Sequence, residues 1–374
     1  EGRNLFSGGF LGLDNIGVFD RSAPLPTGGH LHQADGTAWM AFFSHCMLQM
    51  ALELAEDDPK HEEGVARYLE QFLWIAGAMH RPGSPSDDLW DEADGFFYDV
   101  LVPAVGDPQR MKVRSMVGLL PLMACTVFED GVLKNMPRVK ERIAAFTQRH
   151  AELMTNIHPL IQQGVNGRHL LSIVTEDKLR RILARMLDEN QFLSPHGIRS
   201  LSREHAEHPF IFRAGGQEFR IDYQPAESLT GAFGGNSNWR GPVWLPVNAL
   251  LLRGLLQLYR YYGDAFTVEC PTGSGKQMNL YQVAAEITRR IESTFLLDTS
   301  GIRPVNGQQG RFVSDPNWRD KILFYEYFQG DTGAGLGASH QTGWTGLVAF
   351  LVAFFEIMKP ADVLQSPLTK KSRL

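Results

Sequence analysis

The chain has 374 residues, 43% of them hydrophobic and 21% charged, with a formal net charge of −6. It is too apolar for a disordered chain, and the acidic balance excludes a broadly basic surface for nucleic acid or anionic lipid. Cys46, Cys125 and Cys270 stand far apart with no C-x-x-C pair, which excludes a disulfide framework or zinc ribbon and favours a reducing, cytoplasmic compartment.

Helical periodicity opens at Thr37–Glu56, where Trp39, Phe42, Phe43, Met47, Met50 and Leu54 recur before Asp57-Asp58-Pro59. Pro59–Met79 follows, with Asp58 placed to cap and Pro59 at the first helical position. Further helices are expected at Arg110–Phe128, Pro137–Leu153, Glu176–Leu187, Pro242–Tyr262, Lys276–Leu296 and Gln341–Met358. In Lys276–Leu296, the residues Leu280, Val283, Ala284, Ile287, Ile291 and Phe295 form one apolar stripe. Strand-like runs are short: Phe96–Leu101, Phe210–Phe212 and Ile322–Phe328. The pattern reads as a single all-α domain over residues 1–364, built from helical hairpins with function in the connecting loops, followed by a flexible tail over 365–374. The longest apolar run, Leu347–Phe355, is about half a membrane span, so no membrane association is expected. The sequence starts at Glu1 without Met or a signal-peptide pattern, and is expected to be part of a longer polypeptide.

Several motif fragments lack their context. Thr272–Gln277 (TGSGKQ) ends like a P-loop but has Cys270 where the first Gly belongs and Gln277 where Ser or Thr would meet magnesium. Gly333–Ala338 (GAGLGA) fits a dinucleotide fingerprint, yet no second parallel strand follows. His30 and His32 have no third metal ligand nearby, and His61-Glu62-Glu63 lacks a zincin's second histidine.

What remains is carboxylates in aromatic, glycine-rich loops. Asp14 sits in GGFLGLDNIGVFDRS, and Glu326 is flanked by Phe324, Tyr325, Tyr327 and Phe328. Gly234–Trp244 presents Asn236, Asn238, Trp239, Arg240 and Trp244. Aromatic faces meet the C–H patches of sugars, amides and guanidinium groups meet hydroxyls, and two carboxyls in such a setting describe glycoside hydrolysis. Blander readings stay open: an Asx-turn at Asp14-Asn15, an edge strand at Glu326, a helix cap at Asp35, core packing for Trp239 and Trp244.

Seven segments then run in one order: GLDN at 12–15, QADGTAWMAFF at 33–43, LWDEADGFFYDVL at 89–101, VRSMVGLLPL at 113–122, HGIRSLS at 196–202, NWRGPVW at 238–244 and FYEYFQGDTGAGLG at 324–337. Through them the chain resembles the catalytic domain of glycoside hydrolase family 63 and, more loosely, the trehalase-like six-hairpin glycosidases. The resemblance implies an (α/α)6 toroid and an inverting, exo-acting glycoside hydrolase, foremost an α-glucosidase. It puts the general acid on Asp14 and the general base on Glu326, with carboxyls ~6.5–9.5 Å apart to admit a water. It implies that Arg240, with Asn236 and Asn238, holds hydroxyls. Trp239, Trp244 and Trp344 would wall the sugar subsite, joined by Phe10 and Arg114, while Asp35 would bind sugar or support Asp14. Two departures touch substrate identity: Ile16–Ser22 after the acid motif, and Gln329-Gly330-Asp331 after the base. The alternatives are a non-catalytic carbohydrate-binding toroid and a mannosylglycerate- or glucosylglycerate-type hydrolase. No cofactor is implied. A structural calcium ion is the one metal that relatives admit, and the sequence has no D-x-D-x-D-G loop for it. Eight helices fall short of a full toroid, so the acid loop at residue 12 leads to the expectation that an N-terminal part of the same polypeptide is missing here.

Overall fold

The computed structural model describes residues 4–8, 12–81, 88–129, 131–132, 136–154, 157–159, 162–229 and 237–365. The expectations for Phe10, Asn236 and the 366–374 part of the tail fall outside them.

Helices dominate. They are α1 Ala34–Asp57, α2 Glu62–Ala78, α3 Pro137–Arg149, α4 Ala151–Met154, α5 Glu176–Met186, α6 Leu245–Tyr262, α7 Leu280–Ser293, α8 Arg311–Ser314, α9 Thr342–Thr345, α10 Leu347–Ile357 and α11 Pro360–Gln365. α1 packs along α2 and α2 along α3, while α6, α7 and α10 pack mutually. The Asp58 side chain accepts from Lys60 N–H at 3.0 Å, capping the 3-10 turn Pro59–His61 that leads into α2. α7 starts at Leu280 and not at Lys276, because Asn279 and Gln282 close a reciprocal capping box and Gln277–Asn279 pairs as a strand with Thr267–Glu269. Its expected stripe is buried from Leu280 to Ile291.

The all-α expectation holds only in part. Seven small antiparallel sheets occur among the described residues, the largest joining His30–His32, Asp99–Val102 and Gln109–Met111. The expected helix Arg110–Phe128 does not form. Pro121 would fall mid-helix, without an N–H and against the carbonyl one turn back, a defect of about 3 kcal/mol. The segment instead makes 3-10 turns at Met116–Gly118 and Leu120–Met123, then a strand Cys125–Phe128 paired with His169–Ser172. Every residue from Ser115 to Phe128 is buried, so its apolar run encodes burial on all sides and no helical face.

Leu120–Met123 lies between α1 and α6. The approach to α6 needs Gly254, where a Cβ would stand 2.5 Å from the Leu122 carbonyl oxygen. Outside this core, α1 leaves Phe43, Met50 and Leu54 exposed, and α10 leaves Leu347, Phe350 and Ile357 exposed. No helix among the described residues is long and apolar enough to cross a membrane.

His45 on α1 is wholly buried against Phe72, with ring centroids 4.2 Å apart. Desolvation first, and the nearby Arg253 guanidinium second, pull its pKa down to about 3. The unfolded chain therefore takes up a proton near pH 6.5 that the folded chain refuses until about pH 3, so this group's contribution to stability is lost as pH falls through that window. Urea unfolding should show a loss of about 2 kcal/mol from His45 between pH 7.5 and pH 5. His45→Gln should flatten the pH slope by that amount, whatever its effect on absolute stability; an unchanged slope would refute the assignment.

Candidate active site

The segment Asn238–Trp244 is the bracket on which the site is built. Asn238 is fully buried, and a buried amide is tolerated only when its donors and acceptor are satisfied. Its Oδ1 accepts from Asn15 Nδ2 and from Arg240 N, both at 3.0 Å, and its Nδ2 donates to the carbonyls of Gln224 and Ala226, both at 2.7 Å. Asn15 Oδ1 accepts from Trp239 N at 2.7 Å, and Arg240 Nε donates to the Asn15 carbonyl at 2.8 Å. The loop carrying Asp14 is thereby tied to the bracket on one side.

On the other side, Val243 and Phe328 exchange backbone hydrogen bonds at 2.9 and 3.0 Å. Trp244 stacks in parallel on Trp239 at 3.9 Å and on Tyr327 at 4.5 Å. These contacts fix the strand that carries Glu326. A further bridge from Arg199 to Val243, and one from Leu201 to Ser115, continue the floor toward Arg114.

The two carboxyls differ in surroundings. Asp14 is half-buried in a turn, and among the described residues its carboxyl has no hydrogen bond or ion pair. Glu326 is half-buried; its Oε2 accepts from Ala338 N at 3.1 Å, and its N–H donates to the Ala338 carbonyl at 3.0 Å. Gly337 makes room: at φ +70° it has a conformation that side chains disfavour, and a Cβ there would lie 2.7 Å from Glu326 Oε2. Tyr325 and Tyr327 are buried in the core, whereas Phe324 and Glu326 between and beside them are half-buried.

The remaining candidates sort by exposure. Trp239 and Trp244 are 4% and 2% exposed, so both pack in the core. Asn238 has no free hydrogen-bonding capacity for a hydroxyl. Arg240 is buried and donates to the carbonyls of Asn15 and Gly17; burial lowers its pKa, with Asp222 opposing. Asp35 is wholly buried, its Oδ2 2.5 Å from Arg21 Nη1 and its Oδ1 accepting from Gly36 N at 2.8 Å. It is not exposed to sugar. The same Arg21 reaches Asp99 at 3.1 Å, and burial, reinforced by Asp35, raises the Asp99 pKa above the usual carboxylate range. Arg114 is mostly buried, paired with Glu204 and 3.8 Å from Asp94. Only Trp344 presents an open indole, 40% exposed and edge-on to Trp244 at 6.3 Å.

Sequence reasoning missed the partner network. Asp331 Oδ1 accepts from Arg199 Nη2 and from Tyr223 Oη, each at 2.9 Å, holding the turn beyond Glu326. Asn15 was legible only as a turn residue beside Asp14; its role depends on a contact 223 positions away. The P-loop-like fragment is closed by the chain itself, since Glu269 accepts from Gly273 N and Gly275 N. Gly335–Leu336 pairs as a hairpin with Tyr327–Phe328 and opens no helix. Among the described residues no group of three or more His, Cys, Asp or Glu is placed to hold a metal ion.

Sequence comparison defines the class. Residues 169–345 match a family model described as the mannosylglycerate hydrolase MGH1-like glycoside hydrolase domain. An uncharacterized protein of Saccharomyces cerevisiae is 48% identical over 364 residues, covering 93% of this chain and 33% of that protein. A probable mannosyl-oligosaccharide glucosidase of Schizosaccharomyces pombe is 25% identical over 91% of this chain and 28% of its own. A mannosyl-oligosaccharide glucosidase of S. cerevisiae is 27% identical over 86% of this chain and 26% of its own. The crystal structure of a family 63 mannosylglycerate hydrolase from Thermus thermophilus, in complex with glucose, covers 86% of this chain and 48% of that one at 16% identity; its TM-score of 0.35 is too low to bear on the fold. The chain is thus similar over residues 169–345 to a mannosylglycerate hydrolase MGH1-like glycoside hydrolase domain, and over most of its length to two mannosyl-oligosaccharide glucosidases. It spans about a third or less of the curated relatives' length.

If the bracket carries the site, Asn238→Ala strands four partners in the interior. It should lower unfolding free energy by about 3 kcal/mol in urea titrations, whereas Trp344→Ala, on the surface, should cost under about 1 kcal/mol. Equal costs would contradict the division between buried frame and open indole.

Proposed function

We propose that this chain is the catalytic part of an inverting, exo-acting α-glycosidase, foremost an α-glucosidase, built on an (α/α)6 toroid, with Asp14 as general acid and Glu326 as general base. The observation that carries the reading is that two half-buried carboxyls from opposite ends of the sequence sit on segments anchored to one bracket, Asn238–Trp244.

In this mechanism Asp14 gives its proton to the glycosidic oxygen as the C1–O bond breaks. Glu326 takes a proton from a water whose oxygen bonds to C1 from the opposite face, and the anomeric configuration inverts. Asp14 ends ionised and Glu326 protonated, and exchange with solvent restores both. The mechanism is written without a cofactor and requires the carboxyls ~6.5–9.5 Å apart. Trp344 offers a face for the sugar ring. Upstream helices of a longer polypeptide would complete the ring against the exposed stripe of α1. Three free cysteines accord with the cytoplasm as its compartment.

The test follows the anomeric proton of the released sugar by NMR while the full-length protein acts on α-glucosides and α-mannosides. The β-anomer should appear first; initial α-anomer would refute inversion. Asp14→Asn and Glu326→Gln should each lower kcat by at least about 10³-fold with the fold retained by circular dichroism. Near-normal turnover in either removes that residue from its role.

A further inference from the structure

Beside the Phe324–His340 ring pair, two residues along the chain from Glu326, lies an open groove of about 450 Å³, lined by Asn317, Trp318, Lys321, Ile322, Leu323 and His340. Its volume is within the range of small-molecule sites. Gln341 N donates to the Phe324 carbonyl at 2.5 Å, two residues along from the pairing of Glu326 with Ala338, so His340 lies opposite Phe324 with ring centroids 5.8 Å apart. Phe324 and Glu326 are both half-buried between core residues, and Phe324 links the groove wall at His340 to the segment that carries Glu326.

The lining has the chemistry of a selective subsite. Trp318 is 38% exposed yet held, its ring edge-on to Phe312 at 5.5 Å and 5.6 Å from the Arg311 guanidinium carbon. A fixed, open indole suits the C–H face of a sugar ring. Lys321 and His340 flank it, both exposed, and neither pairs with a carboxylate among the described residues. The acids in the same loop have partners of their own: Asp315 Oδ1 accepts from the groove residue Asn317, and Asp320 stands 3.6 Å from Arg319. Two nitrogen donors beside an aromatic platform, neither paired with a carboxylate among the described residues, match a ligand that supplies the acid.

We propose that this groove is the subsite for a sugar unit beyond the one cleaved, and that it selects a unit carrying a carboxylate or phosphate. The proposal rests on the glycosidase reading of Asp14 and Glu326, and its test separates the two.

Full-length Glu326→Gln protein, which should bind without turnover, is titrated calorimetrically with maltose, with an α-glucosyl glucuronic acid disaccharide and with maltose 1-phosphate. At least one acidic probe should bind about tenfold more tightly than maltose, and the better of the two names the acid. Adding Lys321→Gln should cut that preference to about twofold, and adding Trp318→Ala should weaken all three probes about tenfold. The proposal is overturned if neither acidic probe binds better than maltose, if Lys321→Gln leaves the preference intact, or if no probe binds. Selective binding without hydrolysis by the wild-type protein would defeat the catalytic reading alone. Hydrolysis without selectivity would defeat the groove alone.

Discussion

The structure depends on a polar segment being buried in its middle. Asn238 lies at zero exposure with four hydrogen bonds, and leaving any of these partners unmatched would cost more than the bond itself contributes. That asymmetry gives the segment one solution. Asn15 must arrive from the N-terminal loop, and the carbonyls of Gln224 and Ala226 must come from the other side. Once Asn238 is seated, Trp239 and Trp244 are five residues apart with their rings parallel, and Tyr327 completes the stack. Local chemistry at one amide thus fixes the relative placement of chain ends more than 300 positions apart.

The acid loop is held at both ends. Asn15 ties its start to the bracket, while Arg21, seven positions after Asp14, is buried between Asp35 and Asp99. Asp35 belongs to the first turn of α1 and Asp99 to the strand beside it, and Asp99 Oδ1 also accepts from the Ala34 N–H at 2.8 Å. Two carboxyls share one guanidinium in a dry site, an arrangement that is costly to assemble and more costly to break. It makes the loop's geometry insensitive to solvent and leaves Asp14, immediately before the first anchor, with a carboxyl that has no hydrogen bond among the described residues.

Much of this was legible in the sequence, unevenly. The amphipathic periods of α2 and α7 survive because those helices bury one face, which is what a period reports. The segment around Pro121 misled because it is buried throughout, and burial on all sides erases the period. Site residues divide in the same way. Asp14 and Glu326 were visible as carboxyls in apolar surroundings. Asn238, Arg240, Trp239 and Trp244 were visible as a motif, but residue type alone cannot tell a group that binds a hydroxyl from one that binds a backbone carbonyl. Both uses need the same donors. Burial decides between them, and burial of a loop is set by partners distant in sequence.

The same reasoning explains why the residues around Glu326 do not form one functional unit. Along 324–327, alternate side chains differ in burial: Tyr325 and Tyr327 join the core, and Phe324 and Glu326 are half-buried. The buried pair makes the strand rigid, so the half-buried pair has a defined direction. Gly337, without a side chain, leaves the space that the Glu326 carboxyl occupies, and Ala338 supplies the N–H that holds one oxygen. With one oxygen held and no hydrogen bond to the other among the described residues, the carboxyl is oriented without being saturated, the condition that the proposed role as general base would need. The buried frame therefore contributes to chemistry indirectly. It consumes the hydrogen-bonding capacity of Asn238 and ties down Asn15, while the carboxyl of Asp14 keeps its own.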